Sequence, residues 1–283
     1  MAASSTMRSE TLRVPGGRLF YEVRGAGPVL LMMPGGPADA ATFRRIEHTL
    51  AARYTVVTYD PRGISHSSPF EPGDDARMVE IFADDAHRLL DEVGGDGRSC
   101  VFASSGGAVI ALELALRHGG RLDTVVVHEP PSPVLLPDPA GVRAGMEDVC
   151  DTYHAAGLWA AAGKFMALVG IHDSSPPPEG ELTPEAQESL ALMQRNIEFF
   201  FGRYIRSIAR YTPDLAGLHG CACLIVPAVG ADSAGQLAHE GGLGLARALG
   251  VQATVFPGDH GGFNGRPAEF AARLLDVLEG GRA

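Results

Sequence analysis

Seven residues just past the first third of the chain, Val101-Phe102-Ala103-Ser104-Ser105-Gly106-Gly107, run directly into the apolar helical pattern Ala108 to His118. They specify a strand, a turn that carries a serine, and a helix in immediate succession. A serine pinned in so sharp a turn needs small residues two places before and two places after it, because those backbones pass close together. Centring on Ser105 puts Ala103 and Gly107 there, whereas centring on Ser104 puts the bulky Phe102 in one of the two places. Ser105 is therefore the expected tip of the turn. Backbone N–H groups at the following helix start, beginning with Gly106, favour a developing negative charge.

The rest of the chain supplies a frame for that turn. Leu12 to Val14 and Leu19 to Val23 flank Gly16-Gly17, a hairpin pattern. Val29 to Met33 is wholly apolar, as befits a strand buried on both faces, and Tyr54 to Tyr59, Cys100 to Ser104, Thr124 to His128, Cys223 to Ala228 and Ala253 to Phe256 repeat that character. Helical patterns lie between them, near Asp39 to Ala52, Ala76 to Val93, Gly107 to His118, Gly235 to Leu249 and Pro267 to Leu278. A leading hairpin followed by repeated strand–helix units predicts an α/β fold with a mostly parallel, doubly wound sheet.

One block breaks the alternation. From about Pro131 to Gly220 there is no strand pattern; Pro131 to Pro139 and Ser174 to Pro178 look like linkers or loops, and Val142 to Leu168 and Thr183 to Tyr211 look helical. The expected division is a mobile tail over residues 1–10, a core formed by 11–130 and 221–283, and an inserted all-helical lid over 131–220.

Composition narrows the partners. The chain of 283 residues carries a formal charge of −11, with no Lys and Arg cluster, which argues against nucleic acid and anionic membrane surfaces. No apolar run has the length of a membrane span, and the polar start Met1 to Glu10 lacks the apolar segment of a signal peptide. A cytoplasmic protein with a small-molecule substrate is expected, its oligomeric state open. Cys100, Cys150, Cys221 and Cys223 lack metal-ligand spacing and read as reduced core or near-core residues. No metal or organic cofactor is implied.

In open parallel sheets, functional groups gather at the carboxyl ends of the strands. Ser105 lies at such an end but needs a base, itself held by a third group. His260, in the loop Phe256-Pro257-Gly258-Asp259-His260-Gly261-Gly262-Phe263 after the last strand pattern, is the expected base. Asp232, just after Cys223 to Ala228, is the favoured acid. Its rivals are Glu129, following the strand that ends at His128, and Asp259, whose place beside His260 suits bracing the loop. Two converging N–H donors are needed for an oxyanion. Gly106 supplies one and Gly36, in Pro34-Gly35-Gly36-Pro37, the other, since Pro37 has no N–H. His128, Glu129, Trp159, Phe200 and Tyr204 are candidate substrate contacts.

Taken together, these residues resemble the α/β-hydrolase superfamily from Leu12 to Leu278. The elbow at Ser105, the Pro34-Gly35-Gly36-Pro37 loop, Asp60-Pro61-Arg62-Gly63, Asp232 and His260 stand in family order. Three positions depart from the pattern: Ala103 stands where glycine is usual, Pro34 where histidine is usual, and Asp232 follows Gly230 by two residues rather than three. The resemblance implies that Asp60 and Arg62 brace the turn structurally. It also implies a serine hydrolase acting on an apolar ester, thioester or lactone through a Ser-His-Asp triad. The same triad also serves carbon–carbon bond cleavage, peracid formation, tailoring chemistry and peptidases. The Pro34 to Pro37 loop is similar to that of proline iminopeptidases, although no amine-binding acidic residues are identifiable in the lid. A binding protein with an idle triad is the alternative from another class.

Overall fold

A computed structural model describes residues 6–95, 97–170 and 183–281. Eight strands form one sheet: β1 (Arg8–Val14), β2 (Gly17–Arg24), β3 (Val29–Met33), β4 (Thr55–Tyr59), β5 (Ser99–Ser104), β6 (Leu122–His128), β7 (Leu224–Gly230) and β8 (Thr254–Phe256). Their order is β1-β2-β4-β3-β5-β6-β7-β8. β1 and β2 pair antiparallel, as do β2 and β4; β3 to β8 are parallel. The expected tail is shorter than its sequence suggests. Arg8, Ser9 and Glu10 already pair with Val23, Glu22 and Tyr21 at the start of β1, because the hairpin register extends past its apolar residues.

The helices are α1 (Arg44–Leu50), α2 (Met78–Gly94), α3 (Gly106–His118), α4 (Pro139–Ala156), α5 (Leu158–Val169), α6 (Pro184–Phe199), α7 (Ile205–Arg210), α8 (Leu215–His219), α9 (Leu237–Leu249), α10 (Gly262–Gly265) and α11 (Pro267–Gly280). Alternation along the strands decides which helix goes where. Leu31, Met33, Val101, Ala103, Val125 and Val127 point to the face covered by α2, α3 and α9. Leu30, Met32, Cys100, Phe102 and Val126 point to the other, where Phe43, Ile46, Leu50, Phe270, Leu274 and Leu278 meet them from the α1 and α11 side.

Between β6 and β7 the described residues are helical or loop, as the sequence predicts. Gly157, with φ of +82°, separates α4 from α5, and a π-helix at Phe200–Tyr204 joins α6 to α7. The proline-rich Ser174 to Pro178 lies outside the described residues. The insertion is fastened to the core by polar contacts. Buried Asn196 on α6 accepts from the Ser65 amide at 2.8 Å and donates to the Ser65 hydroxyl at 2.9 Å. Arg203 reaches Asp75 and the carbonyls of Phe70 and Glu71. No described helix is long and apolar enough to cross a membrane.

The Asp60-Pro61-Arg62-Gly63 turn after β4 makes the contacts of a brace. Asp60 accepts from the amides of Ala40 and His66, both at 2.9 Å, while Arg62 holds Asp85 of α2 through two bonds of 2.6 and 2.7 Å. Both partners of the latter pair are buried. Removing one would leave an uncompensated buried charge, so Asp85→Ala is expected to cost about 3–5 kcal/mol. Urea unfolding would register this as a lower midpoint at an unchanged slope.

Candidate active site

The sheet register brings the chemistry to one edge. β5 and β6 pair through Ser104 and His128, and β6 and β7 through His128 and Ala228. The ladder then extends one residue further on each strand: the Ser105 amide donates to the His128 carbonyl at 2.9 Å, and the Glu129 amide to the Ala228 carbonyl at 3.0 Å. Both residues turn sharply at that point, with φ of +58° at Ser105 and +51° at Glu129. L-residues rarely occupy this region, and such backbone concentrates at functional sites. α3 begins at the next residue after Ser105, so the Gly106 amide has no partner within the helix.

Glycine is required around this turn for reasons of space. A Cβ on Gly107 would lie 2.4 Å from the Pro34 carbonyl oxygen, and one on Gly35 would lie 2.7 Å from both the Gly106 nitrogen and the Ser105 Cβ. The loop after β3 is thus pressed against the elbow. Pro34 in place of histidine leaves that approach intact. Gly36 follows with φ of +60°, its would-be Cβ 3.6 Å from the Phe200 ring.

A cavity of about 270 Å³ opens above the edge. Gly36, Ser105, Gly106 and His260 line its floor side, and Met146, Phe165, Phe200, Tyr204, Ile205 and Ile208 come from the insertion. Among the described residues no aspartate, glutamate, lysine or arginine lines it. Of the candidate substrate contacts, Phe200 and Tyr204 reach the cavity. Trp159 does not: it is 86% exposed on α5. Nor do His128 and Glu129, which lie fully buried beneath it.

The acid partner is where the structure departs from the sequence expectation. His260 Nδ1 lies 2.5 Å from Glu129 Oε2, and Asp232 makes no such contact. Asp232 is exposed, and its amide donates to the Gly258 carbonyl at 2.9 Å. The loop after β7 serves Glu129 by other means. The Gly230 amide donates to Glu129 Oε1 at 2.8 Å and the Ser233 hydroxyl donates to the same oxygen. Asp259 braces its own loop by accepting from the Gly261 amide at 2.9 Å.

The electrostatics follow from this packing. Burial pushes the Glu129 carboxyl upward, but the hydrogen bond from His260, the neighbouring His128 and His260 rings and the Ser233 hydroxyl outweigh it and hold the group at about 2. Glu129 is therefore an anion throughout the neutral range. His128 is the opposite case: burial, against the pull of Glu129, lowers it to about 4. Neutral His128 sits with Nδ1 at 3.1 Å from the Ser104 hydroxyl and its ring stacked on His260, centroids 6.0 Å apart. His128, Glu129 and His260 offer nitrogen and oxygen atoms within 4.8 Å of one another, near enough to share a metal ion. The facing Glu129 and His260 atoms are already engaged with each other.

Comparison with known proteins identifies the family and the fold. A hydrolase of Bacillus subtilis, uncharacterized hydrolase YraK, is 34% identical over 283 residues, covering 97% of each chain. The chain is a hydrolase of the α/β-hydrolase family. The model of the alpha/beta hydrolase fold matches residues 28–163. Among solved structures, a thermophilic esterase from Thermogutta terrifontis superimposes with a TM-score of 0.72 at 18% identity, covering 99% of this chain and 100% of that one. The enol-lactonase from Burkholderia xenovorans LB400 gives 0.67 at 17% identity, covering 95% and 100%. These two show the shared fold.

A pH dependence of stability follows with a defined sign. His128 takes up its proton near 6.5 when unfolded and near 4 when folded, so acidification through that window favours the unfolded chain. Glu129, lowered from 4.5 to about 2, contributes stability that is present above 4.5 and lost below it as the pH falls toward 2. Stability should therefore fall from pH 6.5 downward in two consecutive stages. The first should shrink in His128→Gln, by on the order of 3 kcal/mol between pH 6.5 and 4, as measured by urea unfolding across pH.

Proposed function

We propose that this chain is a serine hydrolase in which Ser105, His260 and Glu129 form the catalytic triad. The observation that carries the proposal is the Glu129–His260 contact at the same sheet edge, and lining the same cavity, as a serine held at positive φ on a helix N-terminus. Glu129 fixes the imidazole with Nδ1 as the protonated nitrogen and stabilises the charged ring during the reaction. His260 Nε2 takes the Ser105 proton as Oγ bonds to the carbonyl carbon. The Gly36 and Gly106 amides stabilise the tetrahedral oxyanion. His260 then gives the proton to the leaving group, which departs to leave the acyl-enzyme. Water, deprotonated by His260, attacks that acyl group; Ser105 regains its proton and the carboxylic acid leaves.

The cavity supports a small, uncharged acyl compound: a carboxylic ester, thioester or lactone of apolar character. Part of its wall comes from the insertion, which in this proposal acts as the lid that sets specificity. A peptidase that selects a free amino terminus needs a carboxylate in the pocket, and the lining contains none among the described residues. The esterase and enol-lactonase named among the fold's neighbours agree with this substrate class. A cytoplasmic setting suits such a substrate and the free thiols of Cys150, Cys221 and Cys223.

Two measurements test the proposal. A fluorophosphonate probe should form a covalent adduct on Ser105 that Ser105→Ala abolishes and His260→Ala strongly slows. A folded wild type that takes no label would instead indicate a binding protein. With a short-chain aryl ester, Glu129→Gln should lose roughly 10⁴ in kcat, the scale set by removing an orienting carboxylate. Asp232→Asn should stay within about twofold of wild type, as for an exposed residue outside the site. The reverse ranking would reject Glu129 as the acid.

A further inference from the structure

We propose that the Tyr204 hydroxyl is a third hydrogen-bond donor to the oxyanion formed at Ser105, an assignment that rests on the serine-hydrolase reading above. Tyr204 closes the π-helix between α6 and α7, at 3% exposure, and lines the cavity. π-Turns are rare and recur at functional sites. Here the turn presents Phe200 and Tyr204 to the same cavity, ring centroids 5.9 Å apart. The tyrosine ring is held from the core side as well, stacked on Phe82 at 5.9 Å.

Its hydroxyl is aimed at the elbow. A Cβ on Gly106 would lie 2.7 Å from Tyr204 Oη. An amide nitrogen and the Cβ of the same residue are about 2.5 Å apart, so Oη lies within about 5 Å of the Gly106 nitrogen. Two donors that each stand about 2.8 Å from one acceptor are separated by up to about 5.6 Å. A single oxygen bound to the Gly106 amide is therefore within reach of the phenol. The close approach also explains why the residue after Ser105 is glycine: any side chain there would displace Tyr204.

The hydroxyl has no other task. Among the described residues it makes no hydrogen bond, and burial alone pushes its pKa upward, so it stays a protonated donor across the working range. Facing the cavity, it is placed to donate to a substrate oxygen, and most strongly to an oxyanion.

The test is the second-order rate at which an uncharged alkyl fluorophosphonate labels Ser105, since its phosphoryl oxygen occupies the oxyanion position. Tyr204→Phe keeps the ring packing and deletes only the donor. It should label at least about tenfold more slowly than wild type at an unchanged Tm, somewhat less than the 10²–10³ seen for a principal donor. With an aryl ester the loss should fall on kcat, with KM within about twofold. Incorporation of 3-fluorotyrosine at position 204, which retains the donor, should restore the rate. Labelling of Tyr204→Phe at the wild-type rate would overturn the assignment and leave the triad standing. So would slow labelling that 3-fluorotyrosine fails to restore. Absence of label on wild-type Ser105 would overturn the triad, and this inference with it.

Discussion

Two backbone hydrogen bonds organise the site: Ser105 N–H to the His128 carbonyl, and Glu129 N–H to the Ala228 carbonyl. Each carries the parallel ladder one residue beyond the end of a strand. Each therefore ties a residue at positive φ to the rigid sheet rather than to a loop. Strain of this kind, of order 1–3 kcal/mol per residue, persists only where surrounding structure over-determines it. The ladder supplies that determination on one side. On the other, the loop after β3 approaches so closely that Gly35 and Gly107 admit no Cβ.

The buried carboxylate depends on this arrangement. An ionised Glu129 without partners would be expelled or neutralised. Instead Gly230 and Ser233 satisfy one oxygen and His260 the other. The loop after β7 thus contributes donors to the acid. A neutral, buried His128 fills the space below without adding a competing positive charge at neutral pH. The result is a fixed negative charge beneath an imidazole that lines a cavity otherwise poor in charge, the condition under which electrostatic preorganisation is strongest.

Much of the fold was legible in the sequence because its signals are local. Every strand after the hairpin is a short apolar run, and α3 and α11 start and stop within two residues of their patterns. The turn at Ser105 was legible through steric demands that only small residues meet. The carboxylate that contacts His260 was not, since the choice between Asp232 and Glu129 depends on which way a loop turns. Asp232 follows a strand at the correct edge, yet it is exposed while its amide bonds the Gly258 carbonyl. One sign in the sequence told against Asp232: it follows Gly230 by two residues where the family pattern has three. Trp159 misled for a different reason, since apolar residues on a short amphipathic segment do not reveal which face is covered.

The central claim is that Glu129, not Asp232, holds His260. Proton NMR tests it most directly, through the far-downfield N–H resonance of an imidazole bonded to a buried carboxylate. The account predicts that this signal is present in wild type, persists in Asp232→Asn, and disappears in both Glu129→Gln and His260→Ala. Its loss in Asp232→Asn, or its survival in Glu129→Gln, would contradict the assignment.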